Sequence, residues 1–185
     1  MRTFIAIDLD AKLKENLESL IAALRPLAKN VRWVNTSGMH LTLKFLGEIP
    51  ETDESRIAGI LTSVAKRHSP FRLALQGAGT FPPGGKNPRV LWVGVAENPA
   101  LQALQEEVEK EMEKIGFERE KRAYRPHLTV GRVKFPSPLD RLLVELENRR
   151  DQSFGEMRVR KITFFRSILH PAGAEYKPLE EAILG

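Results

Sequence analysis

Two short stretches of the 185-residue chain carry residue types that can move protons. His40-Leu41-Thr42 and His127-Leu128-Thr129 repeat one pattern 87 residues apart. On a β-strand, residues two apart share a face, so each stretch presents an imidazole and a hydroxyl on the same side. Strict alternation adds Lys44 to the face of His40 and Thr42, with Leu41, Leu43 and Phe45 opposite. It also sets Leu128 and Val130 opposite His127 and Thr129. An imidazole titrates near ~6.5, so of two facing each other one can be protonated while the other is neutral. An in-line displacement at phosphorus needs that pair. One histidine takes the proton of the attacking oxygen and the other gives a proton to the leaving oxygen, each transfer contributing roughly 10²–10⁴ in rate. The threonine hydroxyls, with any nearby arginine, can hold the non-bridging oxygens. The arrangement needs no metal and no cofactor. A lone histidine on a strand is more often a packing or surface residue, and His68 and His170, which have no counterpart across the interval, are read that way.

The interval of 87 aligns more than the tripeptides. It carries Phe4-Ile5-Ala6-Ile7 onto Leu91-Trp92-Val93-Gly94 and the helical positions Leu13, Leu17 and Ile21 onto Ala100, Leu104 and Val108. Phe71–Leu75 falls on Arg158–Ile162. Such self-similarity is the mark of a duplication. Each half reads strand, helix, strand with the tripeptide, helix, strand. The first half has a strand at 3–9, a helix at 11–28, strands at 31–34 and 40–46, a helix at 51–67 and a strand at 71–78. The second has a strand at 89–96, a helix at 98–115 stopping at Gly116, and a strand at 127–133. A short helix started by Ser137-Pro138 follows, then strands at 156–169 and 175–179. Phe81–Pro88, rich in proline and glycine, is the joint between halves. The expected fold is α/β or α+β: one bilobal domain over 1–185, with repeats of about 1–87 and 88–175. Helices would pack outside the sheets, and equivalent strands would face each other across a cleft.

With 42% apolar residues the chain can bury a core, and it has no cysteine for disulfides, thiolate metal sites or a thiol nucleophile. No apolar run reaches the length of a membrane span, and the N-terminus lacks a signal-peptide pattern. A cytoplasmic, monomeric protein is the expectation. The net charge is +5, and between Arg119 and Lys134 six basic residues (Arg119, Lys121, Arg122, Arg125, Arg132 and Lys134) face one acid, Glu120. Such a run is either a solvated surface or a rim for phosphates. A phosphate-binding loop is absent, since Thr80 and Asn87 break the required pattern around Gly84-Gly85-Lys86. A metallohydrolase is disfavoured, because each strand offers a single ligand.

Trp33-Val34, His40-Leu41-Thr42-Leu43-Lys44-Phe45-Leu46-Gly47 and Arg125-Pro126-His127-Leu128-Thr129-Val130-Gly131-Arg132 resemble the 2H phosphoesterases. More narrowly, they are similar to the RNA 2′,3′-cyclic phosphodiesterases, also called 2′-5′ RNA ligases. The resemblance runs the full length. It implies an α+β fold of two lobes, each with an antiparallel sheet and outer helices, flanking a central cleft, and an RNA substrate ending in a 2′,3′-cyclic phosphate, such as a tRNA fragment, opened to a 2′-phosphomonoester. Reversible 2′-5′ ligation would be the same chemistry with an alcohol in place of water. His40 would be the proton donor to the leaving 3′-oxygen and His127 the base, with Thr42 and Thr129 on the phosphate. Arg132 would join them if the strand bulges at Gly131, and Arg125 lies beside Pro126 in a similar role. Trp33 and Phe45 are expected in the core before any base-stacking part. The alternative from another class is a phosphate-binding module that uses the same cleft without turnover, and a bell-shaped pH–rate profile separates the two.

Overall fold

The computed structural model describes residues 1–83, 87–171 and 173–185. Gly84, Gly85 and Lys86 of the expected joint therefore lie outside the described residues. Helix α1 (Ala11–Leu24) begins where the Asp10 carboxylate accepts the Leu13 N–H at 2.8 Å. Pro26 tightens its end into a single 3₁₀ turn, Arg25–Leu27. Its buried stripe is Leu13, Leu17, Leu20, Ile21 and Leu24. Helix α2 (Glu54–Ala65) buries Ile57, Leu61, Val64 and Ala65. Helix α3 (Pro99–Glu113) starts at Asn98, which accepts the Leu101 N–H at 3.0 Å, with Pro99 in the first turn. Helix α4 (Asp140–Glu147) begins later than the Ser137-Pro138 signal suggests. Leu139 occupies its cap position without a side-chain bond and is buried, so burial of that leucine sets the start.

Nine strands form two antiparallel sheets among the described residues. The first has the order β3-β1-β8-β9, with β1 Arg2–Asp8, β3 His40–Glu48, β8 Lys161–His170 and β9 Gly173–Ile183. The second has the order β2-β6-β5-β4-β7, with β2 Val31–Trp33, β4 Phe71–Phe81, β5 Val90–Val95, β6 His127–Val133 and β7 Ser153–Val159. The single strand expected at 156–169 is two strands in different sheets, separated at Arg160. The last strand is longer than 175–179 because it pairs along the whole of β8. Strands β2 and β3, close in sequence, part company, and β2 becomes the edge beside β6.

The duplication is visible in the order of strands. The trio β3-β1-β8 in one sheet matches β6-β5-β4 in the other. The last strand of each repeat is exchanged: β4 completes the sheet built on β5, and β8 completes the sheet built on β1. Neither half of the sequence closes a sheet alone. One continuous core accordingly contains Ile5, Leu13, Leu41 and Leu73 with Leu91, Leu104, Leu128 and Ile162.

The repeat is gapped rather than carried by one interval. Asp8 lies opposite His40 and Gly94 opposite His127, which makes Phe4-Ile5-Ala6-Ile7 the counterpart of Val90-Leu91-Trp92-Val93. A one-residue slip exchanges the two faces of a strand, so the ungapped alignment sets Trp92 on a core face. The structure turns it the other way. Phe165 lies opposite Phe4 and Phe81 opposite Val90, so these two phenylalanines are also counterparts. Ile5, Ile7 and Leu41 of one sheet, and Leu91, Val93 and Leu128 of the other, face the helices and the core. The opposite faces line the cleft. Among the described residues no helix is long and apolar enough to cross a membrane.

Candidate active site

Each tripeptide strand carries a β-bulge at the same place. Ala6 pairs with Thr42 and Ile5 with Lys44, which leaves Leu43 as the extra residue. Trp92 pairs with Thr129 and Leu91 with Gly131, which leaves Val130 as the extra residue. After a bulge the alternation restarts one residue out of step. Lys44 therefore leaves the face of His40 and is buried on the helix side, 5% exposed, whereas Phe45 turns onto the histidine face and is 69% exposed. This reverses the strict-alternation expectation for both. In β6 the same device buries Gly131 against Val31, Trp33 and Leu91 and turns Arg132 outward on the His127 face, exposed. The bulge expected at Gly131 sits one residue earlier. Trp33 packs against the core.

The cleft face of the first sheet thus shows the cross-strand rows Asp8–His40, Ala6–Thr42 and Phe4–Phe45. The second shows Gly94–His127, Trp92–Thr129 and Val90–Arg132. Thr42 and Thr129 are half-buried, His40 is half-buried and His127 exposed. Both imidazoles are held alike. His40 Nδ1–H donates to the Gly38 carbonyl at 2.9 Å, and His127 Nδ1–H donates to the Arg125 carbonyl at 2.7 Å. A carbonyl only accepts, so the proton must be on Nδ1 in each ring. Nε2 is left on both histidines to accept or deliver a proton.

The surroundings differ. His40 stacks on Phe4 at a centroid distance of 4.5 Å, with Tyr176 edge-on at 4.8 Å and Phe165 at 5.8 Å. That burial lowers its pKa below the ordinary value. The Gly38 hydrogen bond and Asp8 oppose the shift, and Lys14 assists it. His127 meets the edge of Phe81 at 5.3 Å, and Phe81 lies 5.4 Å from Trp92. Phe4, Phe81, Trp92, Phe165 and Tyr176 were not singled out as cleft residues from the sequence. A gapped alignment of the repeat could have found the Phe81–Phe165 correspondence, because both stand beside a histidine. Arg125 is exposed at the rim. His68 and His170 are elsewhere, paired with Glu107 at 2.5 Å and Glu175 at 3.0 Å.

A buried polar network ties the segment before His127 to the strand of His40. Lys44 Nζ donates to Glu109 of α3 at 2.6 Å and to the Glu118 carbonyl at 2.9 Å. Glu109 also accepts the Glu120 N–H at 3.2 Å. Tyr124 OH donates to the Thr42 carbonyl at 3.1 Å. Burial raises the Tyr124 pKa far above its ordinary value, so the hydroxyl keeps its proton and remains a donor. The side chain three residues before His127 is thereby fastened to the backbone of Thr42.

The family model of the 2′-5′ RNA ligase superfamily matches residues 13–170. A protein of Methanothermobacter thermautotrophicus named RNA 2′,3′-cyclic phosphodiesterase is 36% identical over 183 residues, covering 97% of both chains. One of the same name from Archaeoglobus fulgidus is 38% identical over 179 residues, covering 97% of this chain and 98% of that one. A solved protein of Thermus thermophilus superposes with a TM-score of 0.82 at 30% identity, covering 100% of this chain and 98% of the other. E. coli LigT complexed with 3′-AMP gives a TM-score of 0.76 at 26% identity, covering 99% and 97%.

Removing one member of the buried ion pair leaves a charge without a partner, a loss of about 3–5 kcal/mol, while replacing both by apolar groups is often neutral. Lys44→Met is expected to lower the urea unfolding free energy by about that much, and Lys44→Met with Glu109→Leu to restore most of it. Equal losses in the single and double variants would contradict the pairing.

Proposed function

We propose that this chain, which belongs to the 2′-5′ RNA ligase superfamily, opens RNA 2′,3′-cyclic phosphates to 2′-phosphomonoesters with His40 and His127 as its proton-transfer pair. It is a cyclic phosphodiesterase, a hydrolase whose substrate class is RNA. The observation that carries the residue assignment is the matched tethering of the two rings. Each donates Nδ1–H to the carbonyl two residues earlier and so presents Nε2 on a cleft face.

In the proposed step His127 Nε2 takes a proton from water as its oxygen bonds to phosphorus. The bond from phosphorus to the 3′-oxygen breaks, and His40 Nε2–H protonates that oxygen. The products are a free 3′-hydroxyl and a 2′-phosphate, and solvent resets the two rings. Thr42 and Thr129 hold the non-bridging oxygens, and Arg125 offsets charge from the rim. With a 5′-hydroxyl in place of water, the same step joins RNA through a 2′-5′ linkage. The exposed Phe45, with Tyr176 and Phe4 around a cavity of about 220 Å³ beside His40, offers apolar faces to a terminal base. The chain works as a cytoplasmic monomer on the ends of RNA fragments, tRNA halves among them.

On a short RNA ending in 2′,3′-cyclic phosphate, His40→Ala and His127→Ala are each expected to lower kcat by roughly 10²–10⁴. Tight binding by both variants with no turnover in the wild type would instead leave a binding module. The lowered pKa of His40 means that its protonated form is lost at a lower pH than for an ordinary imidazole. Tyr176→Ala uncovers that ring, so the limb of the kcat/KM profile that reports His40 is expected to move to higher pH. A profile that does not move would contradict the part given to His40.

A further inference from the structure

Arg32 and Arg132 stand directly opposite each other on β2 and β6. Both are exposed. Val31 and Trp33, the neighbours of Arg32, close over Gly131 on the core side, which sends Arg32 to the cleft face with Arg132, Thr129 and His127. Two like charges opposed across antiparallel strands destabilise a sheet unless something neutralises them. The same sheet contains a second such pair, Arg72 opposite Arg158, and there Glu156 neutralises Arg72 at 3.0 Å. Among the described residues no carboxylate forms an ion pair with Arg32 or Arg132. The short edge strand that carries Arg32 is nonetheless pinned: Asn30 Nδ2 donates to the Phe135 carbonyl at 2.8 Å, Lys134 N–H to the Asn30 carbonyl at 2.8 Å, and Val34 N–H to the Val130 carbonyl at 3.0 Å.

We infer that Arg32 and Arg132 together bind the phosphodiester that precedes the terminal cyclic phosphate, so that the cleft takes the end of a polynucleotide in preference to a lone nucleotide. The inference rests on the assignment of His40 and His127 as the hydrolytic pair. Arg132 is three residues from Thr129, at most roughly 10 Å along the strand, the scale on which one phosphate follows another in a nucleic acid. Guanidinium groups suit this ligand, because their planar fork matches two phosphate oxygens. The anion neutralises the opposed pair only when RNA is present. The counterpart of Arg132 in the first sheet is Phe45, so at this position the two bulges set a charge on one wall of the cleft and an aromatic ring on the other.

The test compares adenylyl-adenosine 2′,3′-cyclic phosphate, the same dinucleotide with an uncharged methylphosphonate linkage, and adenosine 2′,3′-cyclic phosphate. Arg32→Gln is expected to raise KM for the ordinary dinucleotide by roughly three- to tenfold, the scale of one exposed charge-assisted contact. The salt slope of log KM should fall by about 0.7. On the methylphosphonate dinucleotide the variant is expected to cause no further loss, since the charge it would have met is gone. Equal losses on both linkages, or no loss on either, would overturn the inference, as would a wild type that treats all three substrates alike. A wild type that hydrolyses none of the three would overturn the hydrolytic reading itself.

Discussion

The contact between Lys44 and Glu109 holds the cleft in register. The side chains of both are nearly fully buried, 3% and 5% exposed, and a charge so placed is costly unless it is met and hydrogen-bonded. Lys44 belongs to the strand of His40. Glu109 belongs to a helix of the second half, and its two oxygens and the Lys44 ammonium between them take up Gln105, the Glu118 carbonyl and the Glu120 N–H. The chain from Glu118 to Glu120 cannot drift from β3 without stranding these groups. Tyr124 repeats the restraint four residues on, at the Thr42 carbonyl, and the next residues enter His127. Two strands from different sheets are thus set against each other by polar bonds buried behind the reacting face.

The bulges at Leu43 and Val130 make this possible. Without the first, Lys44 would point into the cleft and Glu109 would be orphaned under the sheet. Without the second, Arg132 would be turned toward the core. Each bulge therefore serves two purposes, placing a residue behind the sheet and another on its front. From that common device the lobes diverge, with Phe45 and the ring stack on His40 on one side and Arg132, Arg32 and Trp92 on the other. Equal tethering with unequal burial leaves two identical side chains in different surroundings on the two cleft faces.

Much of this was legible in the sequence. The repeated His-x-Thr, the helix stripes and most of the strand positions follow from local chemistry. So does the belonging of His68 and His170 to another part of the surface. What escaped were matters of register. A bulge leaves no residue signature at Leu43 or Val130, so alternation sent Lys44 and Phe45 to the wrong faces. The exchange of β4 and β8 between sheets, and the assignment of β2 to the edge beside β6, depend on long-range pairing that no local pattern encodes. The small gaps in the repeat hid Trp92 and the match of Phe81 with Phe165 for the same reason.

The proposal that two imidazoles act on one phosphorus without a metal ion is tested most directly by turnover in excess EDTA and the position of phosphate in the product. A short RNA ending in 2′,3′-cyclic phosphate, incubated with the enzyme in excess EDTA and followed by phosphorus NMR, is expected to give the 2′-phosphomonoester alone. A 3′-phosphate product, or turnover that appears only when a divalent metal is restored, would contradict the account.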